Sequence, residues 1–214
     1  MATKAQEPHV PSQANMQPRK RAGTQRRAGR SQGGSSSVAT MVGVAAAGIA
    51  AGLALNMGRK AIVQAPSAAA GDWFEAVKLE HKAALALFDA MLATDDDQVV
   101  RRTALLAQLK HALGKHAFME ENAIYPALRV WGDRADADKL NHDHGYVKQA
   151  LYELDNMDKD SMTFIEKLRS FRAEVEAHAT EEEEKIFPLL HAGLAEEGNA
   201  RLTAAANKEG FKMA

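Results

Sequence analysis

A short motif occurs twice in this chain with the same internal spacing. The first copy runs from His116 to Pro126, and the second, 62 residues later, runs from His178 to Pro188. Each copy contains His-x3-Glu and ends in an aliphatic residue, an aromatic residue and proline. Positions i and i+4 lie on the same face of an α-helix. The repeat therefore predicts two helices that each present an imidazole and a carboxylate side by side.

The residues before each copy indicate that this helix face is buried. Apolar side chains recur there at steps of three and four, which is typical of a core-facing stripe. They are Val175, Phe171, Leu168 and Phe164 before the second copy, and Leu113, Leu109 and Leu106 before the first. Burying an ionisable pair is costly unless the pair finds a partner. A metal ion shared by both copies would be such a partner.

Two more histidines extend the repeat to a whole helical hairpin. His81 precedes His116 by 35 residues and His144 precedes His178 by 34, and each is followed by apolar residues at offsets of three, seven and ten. Two hairpins of one pattern predict an all-α fold, an up-down-up-down four-helix bundle. The bundle would direct six candidate metal ligands inward: His81, His116, Glu120, His144, His178 and Glu182.

The chemistry of these six side chains limits the metal. Four imidazoles and two carboxylates suit iron or manganese, while zinc or copper competes on affinity. The chain has no cysteine, which excludes disulfides, a thiolate nucleophile and cysteine-held zinc or iron–sulfur sites. Two helices that each give a carboxylate at one level are how bundle proteins bridge a pair of metal ions.

The pattern His…His-x3-Glu…His…His-x3-Glu, closed by Phe187 and Pro188, resembles the hemerythrin-like, or HHE cation-binding, domain over about residues 72–192. This resemblance implies a non-haem di-iron (Fe) centre held by the six residues. Members bind O2, sense oxygen or iron, handle nitric oxide or peroxide, or store iron. Oxygen carriers of the family have a second histidine four residues further on the third helix, where this chain has Lys148. That difference argues against a dedicated O2 carrier.

Composition divides the rest of the chain into segments. Residues 1–37 hold seven Lys/Arg against one acid, whereas residues 61–214 have a net charge of −9. A globular region with this excess of acids is a poor binder of nucleic acid. The predicted segments are a disordered basic arm at 1–37, an apolar Ala/Gly-rich helix at 38–57, a linker at 58–71, the bundle at 72–194 and a C-terminal tail, a short helix with a loose end, at 195–214.

The uncharged segment 38–57 is long enough to cross a bilayer. We expect a single N-terminal membrane anchor, with the preceding basic residues keeping the N-terminus in the cytoplasm. Two alternatives remain: a twin-arginine export signal at Arg26-Arg27 with cleavage near residues 68–70, and a soluble Ala-rich helix.

Several neighbouring residues are predicted to lie outside the metal site. Glu121 and Glu183 belong to acidic runs, which usually face solvent. The helical period places His111 and His142 on the surface. Tyr125, like Phe187, is expected to close the bundle end by packing.

Three functions remain compatible with the sequence. The first is a di-iron protein that binds or senses O2, NO, peroxide or iron, in stress response or iron and oxygen homeostasis. The second is a metal-stabilised sensory or interaction module, tethered to a membrane, without redox chemistry. The third is a bundle without metal. The sequence shows no nucleophile, phosphate loop or general base outside the ligand set, so enzymatic activity and the oligomeric state stay open.

Overall fold

The computed structural model describes residues 54–214, and this part of the chain is helical without any strand. Helix α1 occupies residues 54–68. The helices that follow are α2 (Trp73–Leu92), α3 (Val99–Met119), α4 (Tyr125–Trp131), α5 (Arg134–Asn156), α6 (Met162–Glu181), α7 (Phe187–Gly193) and α8 (Glu196–Met213). Helices α2, α3, α5 and α6 form the predicted bundle. The expectation of an all-α bundle is confirmed.

Polar side chains fix where the bundle helices begin. The Asp72 carboxylate accepts hydrogen bonds from the backbone N–H groups of Phe74 and Glu75, and so caps α2. The Ser161 hydroxyl accepts from the Phe164 N–H and caps α6. Each cap satisfies backbone donors that have no partner within the helix.

The apolar core lies in two clusters, one toward each end of the bundle. One cluster surrounds Trp73 and Phe187, and the other surrounds Phe88 and Phe171. The seven apolar residues of the predicted stripes are all buried, in the second cluster. On α2, His81 lies between the two clusters, so the polar residues of the repeat interrupt the core instead of bordering it.

A π-helical turn follows the His-x3-Glu motif in each copy. The turns Glu120–Ile124 and Glu182–Ile186 join α3 to α4 and α6 to α7, and each begins at the motif glutamate. Pro126 and Pro188 stand just after them. Proline has no N–H to donate and crowds the preceding turn, which disfavours regular α-helix there. Such π turns are frequent at functional sites.

The segments on either side of the bundle differ from expectation. The prediction of a linker at 58–71 is wrong, because α1 continues to residue 68 and packs on the bundle. The Gln64 side chain on α1 donates to the Asn207 side chain on α8 over 3.1 Å. Residues 196–213, expected as a short helix with a loose end, form the 18-residue helix α8, whose Leu202 joins the core.

The prediction of a membrane anchor is also corrected. Within residues 54–214 no helix combines the length and the apolar character needed to cross a bilayer. Residues 38–53 of the proposed span lie outside the described residues, as does the basic arm. The remaining four residues of that span begin α1. Arg59 and Lys60, the first charged residues after that segment, donate hydrogen bonds to backbone carbonyls at the end of α8.

Candidate metal centre

The six residues singled out by the repeat meet at one level of the bundle. Both carboxylates are fully buried. Each lies between two imidazoles, one from each hairpin. The distances from ring Nε2 to carboxylate oxygen are 3.1 Å for His116–Glu120, 3.3 Å for His144–Glu120, 3.2 Å for His81–Glu182 and 3.4 Å for His178–Glu182. The six inward-facing side chains are thus arranged with nearly two-fold symmetry.

The inner atoms form two groups of donors suited to a metal ion. One group comprises His81, His116, Glu120 and Glu182, and its donor atoms all lie within 4.8 Å of one another. The other comprises Glu120, His144 and His178. Glu120 belongs to both groups. This arrangement offers two adjacent positions for a cation that share a carboxylate.

Several of these inner atoms lack a hydrogen bond, which tests whether a metal fits. Within residues 54–214, no hydrogen-bond partner exists for His81 Nε2, His116 Nε2, Glu120 Oε1, Glu182 Oε2 and both ring nitrogens of His178. Close approaches between imidazole and carboxylate are present, but their angles are not those of hydrogen bonds. Buried polar atoms are nearly always satisfied in folded proteins. Cation coordination would satisfy all of these atoms except His178 Nδ1, which lies on the outer side toward Asp143, so the residues present fit a metal.

Three of the four imidazoles are held from outside by a second carboxylate. His81 Nδ1 lies 2.7 Å from Glu183 and His144 Nδ1 lies 3.0 Å from Glu121. The prediction that Glu121 and Glu183 only face solvent is wrong, because each hydrogen-bonds to a histidine of the opposite hairpin. Carboxylates in this position fix the orientation and tautomer of a metal-ligating histidine. The signal in the sequence was their place directly after Glu120 and Glu182.

His116 is the third imidazole held in this way, and His178 is the one that is not. Their outer carboxylates differ in length. His116 Nδ1 lies 3.2 Å from Glu80, within hydrogen-bond distance. The equivalent distance from His178 Nδ1 to Asp143 is 3.8 Å, too long for a hydrogen bond. Glu80 and Asp143 occupy the same position of the repeat, one residue before the first histidine of each hairpin. Aspartate is one methylene shorter than glutamate, which accounts for the gap.

Glu80 is itself held by two residues outside the ligand set. The Lys115 ammonium and the Ser67 hydroxyl both donate to Glu80 Oε1. Lys115 Nζ also lies 3.2 Å from Ser67 Oγ, and both side chains are buried. Since Ser67 belongs to α1, this network connects the N-terminal helix to His116.

Tyr125 contributes a hydroxyl to the centre and is not merely packing. Its oxygen donates to Glu182 Oε1 over 2.7 Å and lies 3.2 Å from Glu120 Oε2 and 3.1 Å from His144 Nε2. In an α-helix, a residue five positions after Glu120 points about 140° away from it. The π turn widens the helix and brings Tyr125 over Glu120. The second copy has Phe187 at this position, without a hydroxyl.

The charges at the centre shift the pKa values of its groups. Burial alone would raise the pKa of Glu120, but the neighbouring imidazoles hold it well below its usual range. Burial alone would lower the pKa of His116 and His144, yet the carboxylates raise the first well above normal and the second to about 9. His178 differs, because burial dominates and lowers its pKa. Glu80, despite burial, has its pKa lowered to about 2 by His116 and Lys115.

With this site in place, comparison with known proteins decides the family. The model of the hemerythrin HHE cation-binding domain matches residues 74–190, more than half of the chain. The chain belongs to the hemerythrin HHE cation-binding domain family. Together, the family and the buried histidine–glutamate group support a metal-binding hemerythrin-like protein.

Two curated relatives of this hemerythrin-like chain match at lower identity. An uncharacterised hemerythrin-like protein of Schizosaccharomyces pombe is 30% identical over 95 residues, which cover 43% of this chain and 47% of that protein. A protein of Nostoc sp. named DNA nickase is 22% identical over 123 residues, covering 58% of this chain and 34% of its own. The chain therefore spans less than half the length of either relative. No solved structure matches the chain.

Proposed function

We propose that this protein holds a pair of iron ions between its two hairpins and binds or senses a small molecule there: O2, NO or peroxide. The observation that carries the proposal is the set of buried, unsatisfied nitrogen and oxygen atoms that converge at one level of the bundle. The proposed ligands are His81, His116, Glu120, His144, His178 and Glu182. Manganese or zinc is the alternative occupant of the same set.

Contacts among the described residues already position several of the proposed ligands. Glu120 and Glu182 lie between imidazoles of opposite hairpins, the place of bridging carboxylates. Glu121 and Glu183 hold the Nδ1 atoms of His144 and His81, which leaves Nε2 directed inward. Since ligating imidazoles must be neutral, metal binding would displace the protons that the raised pKa values retain. Bound iron would supply electron transfer and a coordination position for the small molecule.

The surroundings of the site favour a small, weakly polar molecule over a larger substrate. A cavity of about 10 Å³ lies against the four imidazoles, and its other walls are Leu113, Ala117, Val147 and Val175. That volume is close to the least that a water molecule requires. A diatomic molecule or a peroxide is the size of ligand that such a space admits. A role in stress response or in iron and oxygen homeostasis follows from this chemistry.

The test is a titration of the full-length chain, loaded anaerobically with iron(II), against NO, O2 and peroxide. We expect visible absorption bands to develop at a fixed ratio of ligand to protein. The variant H142A, which changes a surface histidine, should give the same bands. The variant H178A should give none. Iron uptake that raises the thermal midpoint without any spectral response would contradict redox chemistry and favour a metal-stabilised sensory or interaction module.

A further inference from the structure

A wide vestibule and the small inner cavity meet at the wall between α5 and α6. The vestibule has a volume of about 320 Å³ and opens to solvent. Its walls are Lys139, Asp143, Tyr146, Val147, Glu174, Ala177, His178 and Glu181. Val147 and His178 line the inner cavity as well. Val147 and His178 therefore separate the vestibule, which opens to solvent, from the inner cavity against the imidazoles.

The partition is weak because His178 is the least restrained of the four imidazoles. Its side chain is 11% exposed, compared with 3% for His81 and His144 and 6% for His116. Neither of its ring nitrogens has a hydrogen bond within residues 54–214. No contact fixes its orientation in the way that Glu183 fixes His81.

A second surface cleft approaches the centre from between the two hairpins, and it is closed. A cleft between α2 and α6 also reaches His81, along Leu85 and Glu183. His81 is the residue that this cleft shares with the inner cavity. The His81 ring is buried and its Nδ1 is hydrogen-bonded to Glu183 over 2.7 Å. Access through this cleft would require breaking the hydrogen bond between His81 and Glu183.

The charges of the vestibule indicate which molecules can pass. Three carboxylates, Asp143, Glu174 and Glu181, face one ammonium, that of Lys139. Lys139 Nζ already pairs with Asp143 at 2.9 Å and with Glu181 at 2.5 Å. The vestibule is thus net negative, which disfavours anions. The inner cavity beyond it has aliphatic walls apart from the imidazoles.

We propose that the α5–α6 vestibule is the access route by which a small neutral molecule, of the size of O2, NO or hydrogen peroxide, reaches the centre, and that Val147 sets the size of the opening. The biological role of this route rests on the proposed function. The route itself does not depend on bound metal. Val147 is a specificity-determining residue in this account, since it lies between the vestibule and the cavity without being a metal ligand.

The first experiment uses the metal-free full-length chain and dissolved O2 as a paramagnetic probe. We expect the methyl signals of Val175 and Leu113, which line the inner cavity, to relax faster under O2 pressure than those of Leu109 in the core. The variant V147F should abolish this difference. The matched variant L85F, on the cleft between α2 and α6, should leave it unchanged. Loss of the difference in L85F but not in V147F would overturn the assignment of the route.

The second experiment measures the association rate of NO with the iron(II)-loaded chain by stopped flow. V147F should slow association by about tenfold or more at unchanged iron content, and V147A should accelerate it. Equal rates in all three proteins would contradict the role of Val147.

If the chain binds no metal but the O2 relaxation pattern appears, the proposed function fails and the route stands. If metal and NO bind but Val175 and Leu113 show no O2 effect, the route fails alone.

Discussion

The corners of the site around His116 and His178 come from equivalent positions of the repeat, yet their surroundings differ. His116 is hydrogen-bonded to Glu80, which is held by Lys115 and by Ser67 of α1. His178 has no such partner, and it borders a solvent-filled vestibule. The two histidines make the same inward contact with a glutamate, 3.1 Å in one case and 3.4 Å in the other. Symmetric inner contacts are therefore combined with asymmetric outer ones.

Two small changes in sequence distinguish the two copies of the repeat. Asp143 replaces Glu80 and loses one methylene, so its carboxylate stops 3.8 Å from the ring. Phe187 replaces Tyr125 and loses the hydroxyl that contacts both Glu120 and Glu182. A repeat can thus keep one set of ligands while one corner becomes rigid and the other accessible. In the proposed function, the rigid corner would hold the metal site in place and the accessible corner would admit the small molecule.

The largest contrast should be seen when each of these histidines is removed from the metal-free protein. H116A leaves Glu80 and Lys115 buried without the imidazole between Glu80 and Glu120, and breaking a buried charge pair costs about 3–5 kcal/mol. H178A removes a ring without hydrogen bonds and should cost about 1 kcal/mol, the average of point mutations. Denaturant unfolding of both variants measures the two losses. Equal losses would show that the two corners are energetically alike.

The pH dependence of stability in the metal-free protein should also distinguish a restrained imidazole from the free His178. The pKa of His144 is raised to about 9, so its contribution to stability is complete below the unfolded value of about 6.5 and is lost as pH rises through about 9. We expect the free energy of unfolding to fall by up to about 3 kcal/mol across this window. The variant H144Q should lack this fall in the free energy of unfolding with rising pH. An unchanged slope in H144Q would contradict the assignment.

The opposite sign applies to His178, whose pKa is lowered. A neutral buried imidazole costs stability when the pH falls below its unfolded pKa, because the unfolded chain then binds the proton more readily. H178Q should accordingly lose less stability than the wild type on the acid side of about pH 6.5. The two variants together separate the restrained imidazole from the free one.

The smallest effect is expected from exchanging the two outer carboxylates. E80D shortens the side chain that holds His116 and should weaken metal affinity by about tenfold or more, as outer-carboxylate changes do. D143E lengthens the carboxylate opposite His178 and should strengthen affinity while slowing NO association. Isothermal titration with iron(II) or manganese(II) measures the affinities. A weaker affinity in D143E than in the wild type would show that length does not explain the gap.

Much of the fold and the inner site could be predicted from local spacing. The helical period is regular over α2, α3, α5 and α6, so the stripes of apolar residues identified the bundle and the level at which six side chains meet. These predictions needed no knowledge of which helices touch.

The residues that sequence reasoning missed depend on tertiary contacts or on a change of helical period. Tyr125 comes over Glu120 only because the π turn departs from 3.6 residues per turn. Lys115 and Ser67 meet Glu80 across three helices, and no spacing in the sequence connects them. Helix α1 could not be predicted from local spacing, because its contacts include hydrogen bonds to residues near the end of the chain, more than 140 residues away.

The most direct test of the central claim, a metal centre built by the six side chains, is the metal content of the full-length chain. The protein would be loaded anaerobically with iron(II), freed of excess metal and analysed for iron, manganese and zinc per chain. We predict about two irons per chain, as a carboxylate-bridged bundle site requires, and loss of this metal in the variant E120Q/E182Q. A folded, helical chain that retains none of the three metals would contradict the account.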